Sequence, residues 1–209
     1  MTTIYLIRHS EPMKRKPIQF NNSDSLQIWN EKAPLSVNGE KKAEILSKVE
    51  EMKDIDLVIS SNYVRAIATA KYIAEENNLD LYIDESFSER KHGVNSWDEL
   101  PKYFETRQMI DQKFKVGNGE NQIEVANRMY NSLLDVLRKN DGKRIAIVSH
   151  ATAIAFLFIK LGKFTEHGIY VNDKIIIDKD FHWNAPEVFK LDFENDKLID
   201  INAIEVLYG

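Results

Sequence analysis

Thr3-Ile4-Tyr5-Leu6-Ile7-Arg8-His9-Ser10-Glu11-Pro12 starts as an apolar, β-rich run and closes on charge. Residues 4–7 suffice for one buried strand, Arg8-His9 ends it, and Pro12 disfavours a continued central strand. In an open α/β sheet, ligands collect beyond the carboxyl ends of the strands. Arg8 and His9 therefore stand where chemistry is usually done. Alone, the dipeptide reads equally well as a charged strand end entering a surface loop, so its partners further along carry the decision.

Two other runs repeat the pattern. Asp56-Leu57-Val58-Ile59-Ser60 reads as a buried strand whose end, Ser60-Ser61-Asn62, supplies capping residues for a helix over 63–76. Arg144-Ile145-Ala146-Ile147-Val148-Ser149 is a third buried strand, ending at His150, with an apolar helix over 151–161. Between these, Ser36 or Asn38 caps a helix carrying Ala43, Leu46, Val49 and Met52, and residues 79–83 form a short edge strand. Ile123, Ala126, Met129, Tyr130, Leu133, Leu134 and Leu137 mark one face of a long amphipathic helix stopped by Asp141-Gly142. From Phe164 onward the chain is strand-rich, around Ile175-Ile176-Ile177, residues 187–191 and residues 199–207. Strands alternating with helices imply an α/β fold, a three-layer α/β/α sandwich with a mostly parallel central sheet. No repeat or linker divides residues 1–209, which are read as a single domain.

Two stretches lack a period. Residues 11–34 form a long polar loop with Lys14-Arg15-Lys16 and Leu26-Gln27-Ile28-Trp29. Loops of this length in compact domains are functional or partly disordered. The basic triplet is read as a solvated charge run, with attraction of an anionic substrate as its sharper reading. Residues 84–119 are loose as well, with one or two short helices over 97–115. Trp97, Tyr103 and Phe104 are read as packing there, and Arg90-Lys91-His92 as solvated or touching substrate. His92, His167 and His182 are read as ordinary loop histidines.

Composition narrows the class. A chain of 209 residues, 43% apolar and 29% charged, is an ordinary globular protein. Its formal net charge of -5 argues against nucleic acid or an anionic membrane as partner. The chain has no cysteine, so thiolate nucleophiles, thiolate metal sites and disulfides are excluded. It has neither a signal-peptide pattern nor an apolar run long enough to span a bilayer, and a cytoplasmic location is expected. The five histidines show no i, i+4 pair or close cluster, so no metal site is expected.

Parallel neighbouring strands would bring Arg8-His9, Ser60-Ser61 with Arg65 a turn later, and Ser149-His150 to one rim. Arginine donates two hydrogen bonds to an oxyanion and never deprotonates, and a helix beginning at His150 adds backbone N–H groups. That pocket suits phosphate. A histidine there would be nucleophile, base or phosphate ligand, and spacing alone leaves the three open.

The motifs resemble those of the histidine phosphatase superfamily, the phosphoglycerate mutase-like group. Leu6-Ile7-Arg8-His9-Ser10 is similar to its strand ending in Arg-His-Gly, and Leu35-Ser36-Val37-Asn38-Gly39 to its Leu-Thr-x-x-Gly helix start. Ser60-Ser61-Asn62-Tyr63-Val64-Arg65-Ala66-Ile67-Ala68-Thr69-Ala70 resembles its serine strand end with Arg-Ala and Thr-Ala pairs. Glu89 ahead of Gly93 and Trp97, Gly119-Glu120 with Val125 and Arg128, and Val148-Ser149-His150-Ala151 complete the set in family order.

The resemblance implies His9 as nucleophile through a phosphohistidine, Glu89 as general acid and then base, and Arg8, Arg65 and His150 as the phosphate pocket. It implies no cofactor, and a small helical cap near residues 90–118 that selects the substrate. Ser10 and Ala151 stand where the family has glycine. Both are assigned to substrate binding, and a Cβ there is unfavourable if the backbone needs a positive φ. The expected activity is a phosphomonoesterase acting on a small phosphorylated metabolite. The alternatives are a phosphoglycerate mutase, or a catalytically silent phosphate-binding homologue. A homodimer through the C-terminal strand edge is a further expectation.

Overall fold

The computed structural model describes residues 1–14 and 25–208. Arg15 and Lys16 of the basic triplet lie outside the described residues. In chain order the elements are β1 (Thr2–Arg8), α1 (Leu26–Lys32), α2 (Val37–Ser47), β2 (Leu57–Ser60), α3 (Val64–Glu76), β3 (Leu81–Ile83), α4 (Phe104–Ile110) and α5 (Gln122–Lys139). They continue with β4 (Arg144–Ser149), α6 (Ala151–Leu161), β5 (Lys163–Thr165), β6 (Gly168–Val171), β7 (Lys174–Asp178), β8 (Glu187–Glu194) and β9 (Lys197–Ile204).

Successive side chains of a strand point to opposite faces, and β1 uses both. Ile4 and Leu6 pack with Met129 and Leu133 of α5 and Phe158 of α6. Tyr5 and Ile7 pack on the other face with Leu46 of α2 and Ala66, Ala70 and Ile73 of α3. Strand β4 divides likewise, Ile145 and Ile147 to one side, Ala146 and Val148 to the other. Burial on both faces is why these strands read as unbroken apolar runs rather than alternating ones. The result is the expected three-layer α/β/α sandwich.

The main sheet has the order β3-β2-β4-β1-β8-β9. Strands β3, β2, β4 and β1 pair in parallel, and β8 and β9 continue antiparallel. Register aligns the strand ends. Arg8 lies opposite Ser149, and Ser60 opposite Val148. The ends of β1, β2 and β4 therefore reach one rim together, carrying His9, Ser61 and His150.

One feature departs from the sequence reading. Helix α1 lies inside the stretch read as loop. It has seven residues, no side-chain cap and one buried residue, Leu26, so it leaves little periodic signal. The strand-rich stretch after Phe164 includes a separate antiparallel sheet, β5-β6-β7, over residues 163–178. The 90–118 region holds a short 3₁₀ turn (Trp97–Glu99) and α4, in keeping with one or two short helices.

Candidate active site

The turn after β1 is fixed before any chemistry is considered. Ser36 caps α2 by accepting the Gly39 N–H at 2.9 Å. The Ser10 hydroxyl donates to the Gly39 carbonyl at 2.7 Å, and the Ser10 N–H donates to Thr69 Oγ1 at 2.9 Å. A Cβ on Gly39 would sit 2.1 Å from the Glu11 carbonyl oxygen, so only glycine allows α2 to approach this turn. The Ser10 side chain is thus engaged in holding the turn. Neither Ser10 nor Ala151 adopts a positive φ, and a Cβ is compatible with the backbone at both.

The turn presents His9, which is buried. Its Nδ1 lies 2.6 Å from the Ser10 carbonyl oxygen, which can only accept, so Nδ1 carries the proton. Its Nε2 accepts from Arg65 Nε at 2.9 Å and therefore holds the lone pair. Burial, and then the Arg65 charge, hold His9 well below the usual histidine range. His9 is a neutral imidazole with its basic nitrogen turned to a guanidinium.

Arg65 is the hub. From the first turn of α3 it reaches His9 through Nε, His150 Nδ1 through Nη2 at 3.2 Å, and the Asn30 carbonyl through Nη1. Tyr63 lies under the guanidinium, 5.0 Å from ring centre to Cζ. Because arginine only donates, His150 Nδ1 is an acceptor, and its Nε2–H donates to Ser61 Oγ at 2.7 Å. His150 is fully buried, and burial followed by the Arg65 charge holds it neutral as well. The two histidine rings are 5.0 Å apart and edge-to-face.

Arg8 closes the other side. Its Nη1 donates to the carbonyls of Asn184 (2.8 Å) and Trp183 (3.3 Å), residues that no sequence signal assigned to the site. Its Nε is buried without a hydrogen-bond partner. An unmet buried donor costs about 1–3 kcal/mol, more on a charged group, and an anion held between Arg8 and Arg65 would satisfy it.

Glu89 stands at the start of α6. Its carboxylate accepts from the backbone N–H groups of Arg90 (2.8 Å), Ala153 (3.0 Å) and Thr152 (3.3 Å). Burial lowers the affinity of Arg8 and Arg65 for their protons, and the Glu89 charge acts against that on both, offsetting part of the cost of burying them. Ala151 is the first residue of that helix. It lines a hollow with Met109, Phe181 and Trp183 and is not among the residues that line the His9 cleft.

Arg8, His9 and Arg65 floor a cleft of about 390 Å³. Its walls include Met13, Trp29, Pro34 and Trp97, with Lys14 and Lys32 beside them. A larger hollow beside β3 contains no histidine or arginine and is lined by five carboxylates, which would repel a phosphate. Trp97 reaches the cleft and Phe104 is buried, whereas Tyr103 is exposed rather than packed. Arg90 and His92 contradict the solvated reading. Both are buried, and Arg90 is turned to Glu105 at 2.6 Å, Gln108 at 2.7 Å and His92 Nε2 at 2.8 Å.

Residues 4–170 match the family model of the histidine phosphatase superfamily, branch 1. The chain is 29% identical over 165 residues to the probable phosphoglycerate mutase GpmB of Escherichia fergusonii, covering 75% of this chain and 73% of that one. The Serratia proteamaculans protein of the same name is 29% identical over 164 residues, with the same coverage. In fold the chain is similar to a phosphoserine phosphatase from Entamoeba histolytica in complex with 3-phosphoglyceric acid. That match has a TM-score of 0.71 and 19% identity over 100% of this chain and 99% of the other. A mycobacterial glucosyl-3-phosphoglycerate phosphatase complexed with VO3 gives a TM-score of 0.68 and 18% identity over 96% of each chain. None of the described helices is long and apolar enough to cross a membrane.

Proposed function

Because this chain belongs to branch 1 of the histidine phosphatase superfamily, we propose that it is a phosphomonoesterase that hydrolyses a small phosphorylated metabolite through a phosphohistidine at His9. The observation that carries this reading is the state of His9. Its proton is held at Nδ1 by the Ser10 carbonyl, and the Nε2 lone pair faces the cleft's arginine. A nucleophile must be unprotonated at the attacking atom.

That placement dictates the order of steps. A phosphate monoester enters with its oxygens on Arg8 and Arg65, taking over the Arg65 Nε–H that His9 Nε2 now accepts. Glu89, a carboxylate in the free site, takes up a proton as the phosphate dianion binds beside it; Nε2 attacks phosphorus, the ester P–O bond breaks, and the leaving alkoxide takes that proton. Arg8, Arg65 and His150 hold the charge on the transferring group, so catalysis is positioning and electrostatics. In the second half, Glu89 takes a proton from water, the water oxygen attacks phosphorus, and the P–N bond pair returns to Nε2. Inorganic phosphate leaves, and Glu89 releases the proton it took from water. Ser10 and Ala151 support the site through the backbone turn and the helix start.

The names of the sequence relatives favour a second reading, a phosphoglycerate mutase sharing the first half-reaction. There the phosphoryl group passes to a second hydroxyl instead of water. The experiment is phosphate release from an aryl phosphate, in chelator, by the wild type and by His9→Ala. The expected result is chelator-resistant release that His9→Ala abolishes. Transfer between phosphoglycerates without release supports the mutase, and equal release by both proteins refutes His9 as nucleophile.

A further inference from the structure

Gly119-Glu120 and Arg128, at the start of the long amphipathic helix, match a family signature to which the mechanism assigns no task. From the structure we infer that Arg128, tied to Glu120, is the positioning residue for Glu89, and this rests on the reading of Glu89 as general acid. Arg128 projects from α5 onto the outside of the loop at residues 86–91. Its Nη1 donates to the carbonyls of Ser86 (2.8 Å) and Ser88 (2.9 Å), and its Nη2 donates to the carbonyl of Glu89 itself (3.2 Å). Nε and Nη2 pair with the Glu120 carboxylate at 2.7 and 3.0 Å. All five N–H donors of the guanidinium therefore have acceptors, three of them main-chain oxygens of the acid's own loop.

Glu120 completes the grip from the other end. Its carboxylate also accepts the Lys91 N–H at 3.0 Å, and its own N–H donates to the Lys91 carbonyl at 2.9 Å. Backbone on one side of Glu89 is thus fixed to Arg128 of α5 and on the other to Glu120, just ahead of that helix, while the N-terminus of α6 fixes the carboxylate. Neither Arg128 nor Glu120 contacts the cleft floor. Two rigid helices hold one loop residue, as a general acid placed within hydrogen-bond reach of a leaving oxygen requires. A lysine has three donors at one point and cannot span these acceptors.

The test separates positioning from folding through the leaving group. An alkoxide needs the proton that Glu89 supplies, whereas 4-nitrophenolate departs readily without one. The ratio of kcat/KM for 2-phenylethyl phosphate to that for 4-nitrophenyl phosphate reports acid catalysis at the phosphorylation step alone. The expected result is that Glu89→Gln lowers this ratio on the order of 10²-fold, and that Arg128→Lys and Glu120→Gln each lower it about tenfold or more. Combining Arg128→Lys with Glu89→Gln should lower it no further. Arg128→Lys or Glu120→Gln losing rate equally on both substrates, or losing none, overturns the inference. If Arg128→Lys does not fold, the Glu120→Gln ratio decides. A Glu89→Gln protein with an unchanged ratio refutes the acid role of Glu89, an outcome separate from failure of the clamp.

Discussion

Replacing Arg65 with lysine keeps a positive charge at the hub and removes its geometry. Arg65 reaches His9, His150 and the Asn30 carbonyl with three different nitrogens, and is 5% exposed. A lysine ammonium at one point can satisfy one of these directions. In the proposed reaction, two of the three donors face the transferring phosphoryl group or the rings that flank it. A hydrogen bond to a charged group contributes about 1.5–3 kcal/mol, so losing two costs about 3–6 kcal/mol. At 1.36 kcal/mol per tenfold, kcat/KM should fall on the order of 10²- to 10⁴-fold. Charge and geometry separate in the pH profile. The Arg65 charge is the second cause, after burial, holding His9 low. Removing it in Arg65→Ala lets His9 take a proton at higher pH, so the acid limb of kcat/KM moves upward; Arg65→Lys should leave that limb in place while losing rate. Steady-state kinetics on an alkyl phosphate across pH reads both. An Arg65→Lys enzyme within tenfold of wild type would show that charge alone suffices and refute the hub geometry.

Acid should weaken the fold through its buried histidines. His9, His92 and His150 are all held below the usual value of 6.5 by burial, His92 down to about 4. Below pH 6.5 the unfolded chain binds protons that the folded one refuses, so stability is complete above that pH and falls as pH drops beneath it. For His92 alone the loss at pH 5 is about 2 kcal/mol, and the other two add in the same direction. Urea midpoints at pH 7.5 and 5 measure it, and His92→Gln should flatten the slope by one group. Gly39→Ala drives a Cβ into the Glu11 carbonyl and should cost about 1–3 kcal/mol, read as a lowered Tm. A Tm unchanged within 1 °C would contradict the close approach of α2 to the catalytic turn.

The legible parts of the sequence are those whose signal is local. Strand β4 and helix α6 fall on the bounds expected from residues 144–149 and 151–161, because burial on both faces turns a central strand into an unbroken apolar run. The shared rim was legible as well, since each of three such runs ends in a polar pair and parallel register aligns their ends. Less legible were contacts made across the chain. Arg90 looks like a loop cation, yet it is buried by partners 15 and 18 residues away that no local pattern links to it. Helix α1 is too short to show a period. Trp183 and Asn184 hold Arg8 with carbonyl oxygens, which carry no side-chain signature at all.

The central claim is that Nε2 of His9 carries the phosphoryl group. Rapid acid-free quenching of the wild-type enzyme during turnover of a phosphate ester labelled in its phosphoryl group, with peptide mapping of the product, tests it directly. The account predicts an acid-labile, base-stable phosphoramidate on the peptide containing His9, absent from His9→Ala. A label on any other residue, or turnover with no trapped phosphoenzyme while water oxygen inverts configuration at phosphorus, would contradict it.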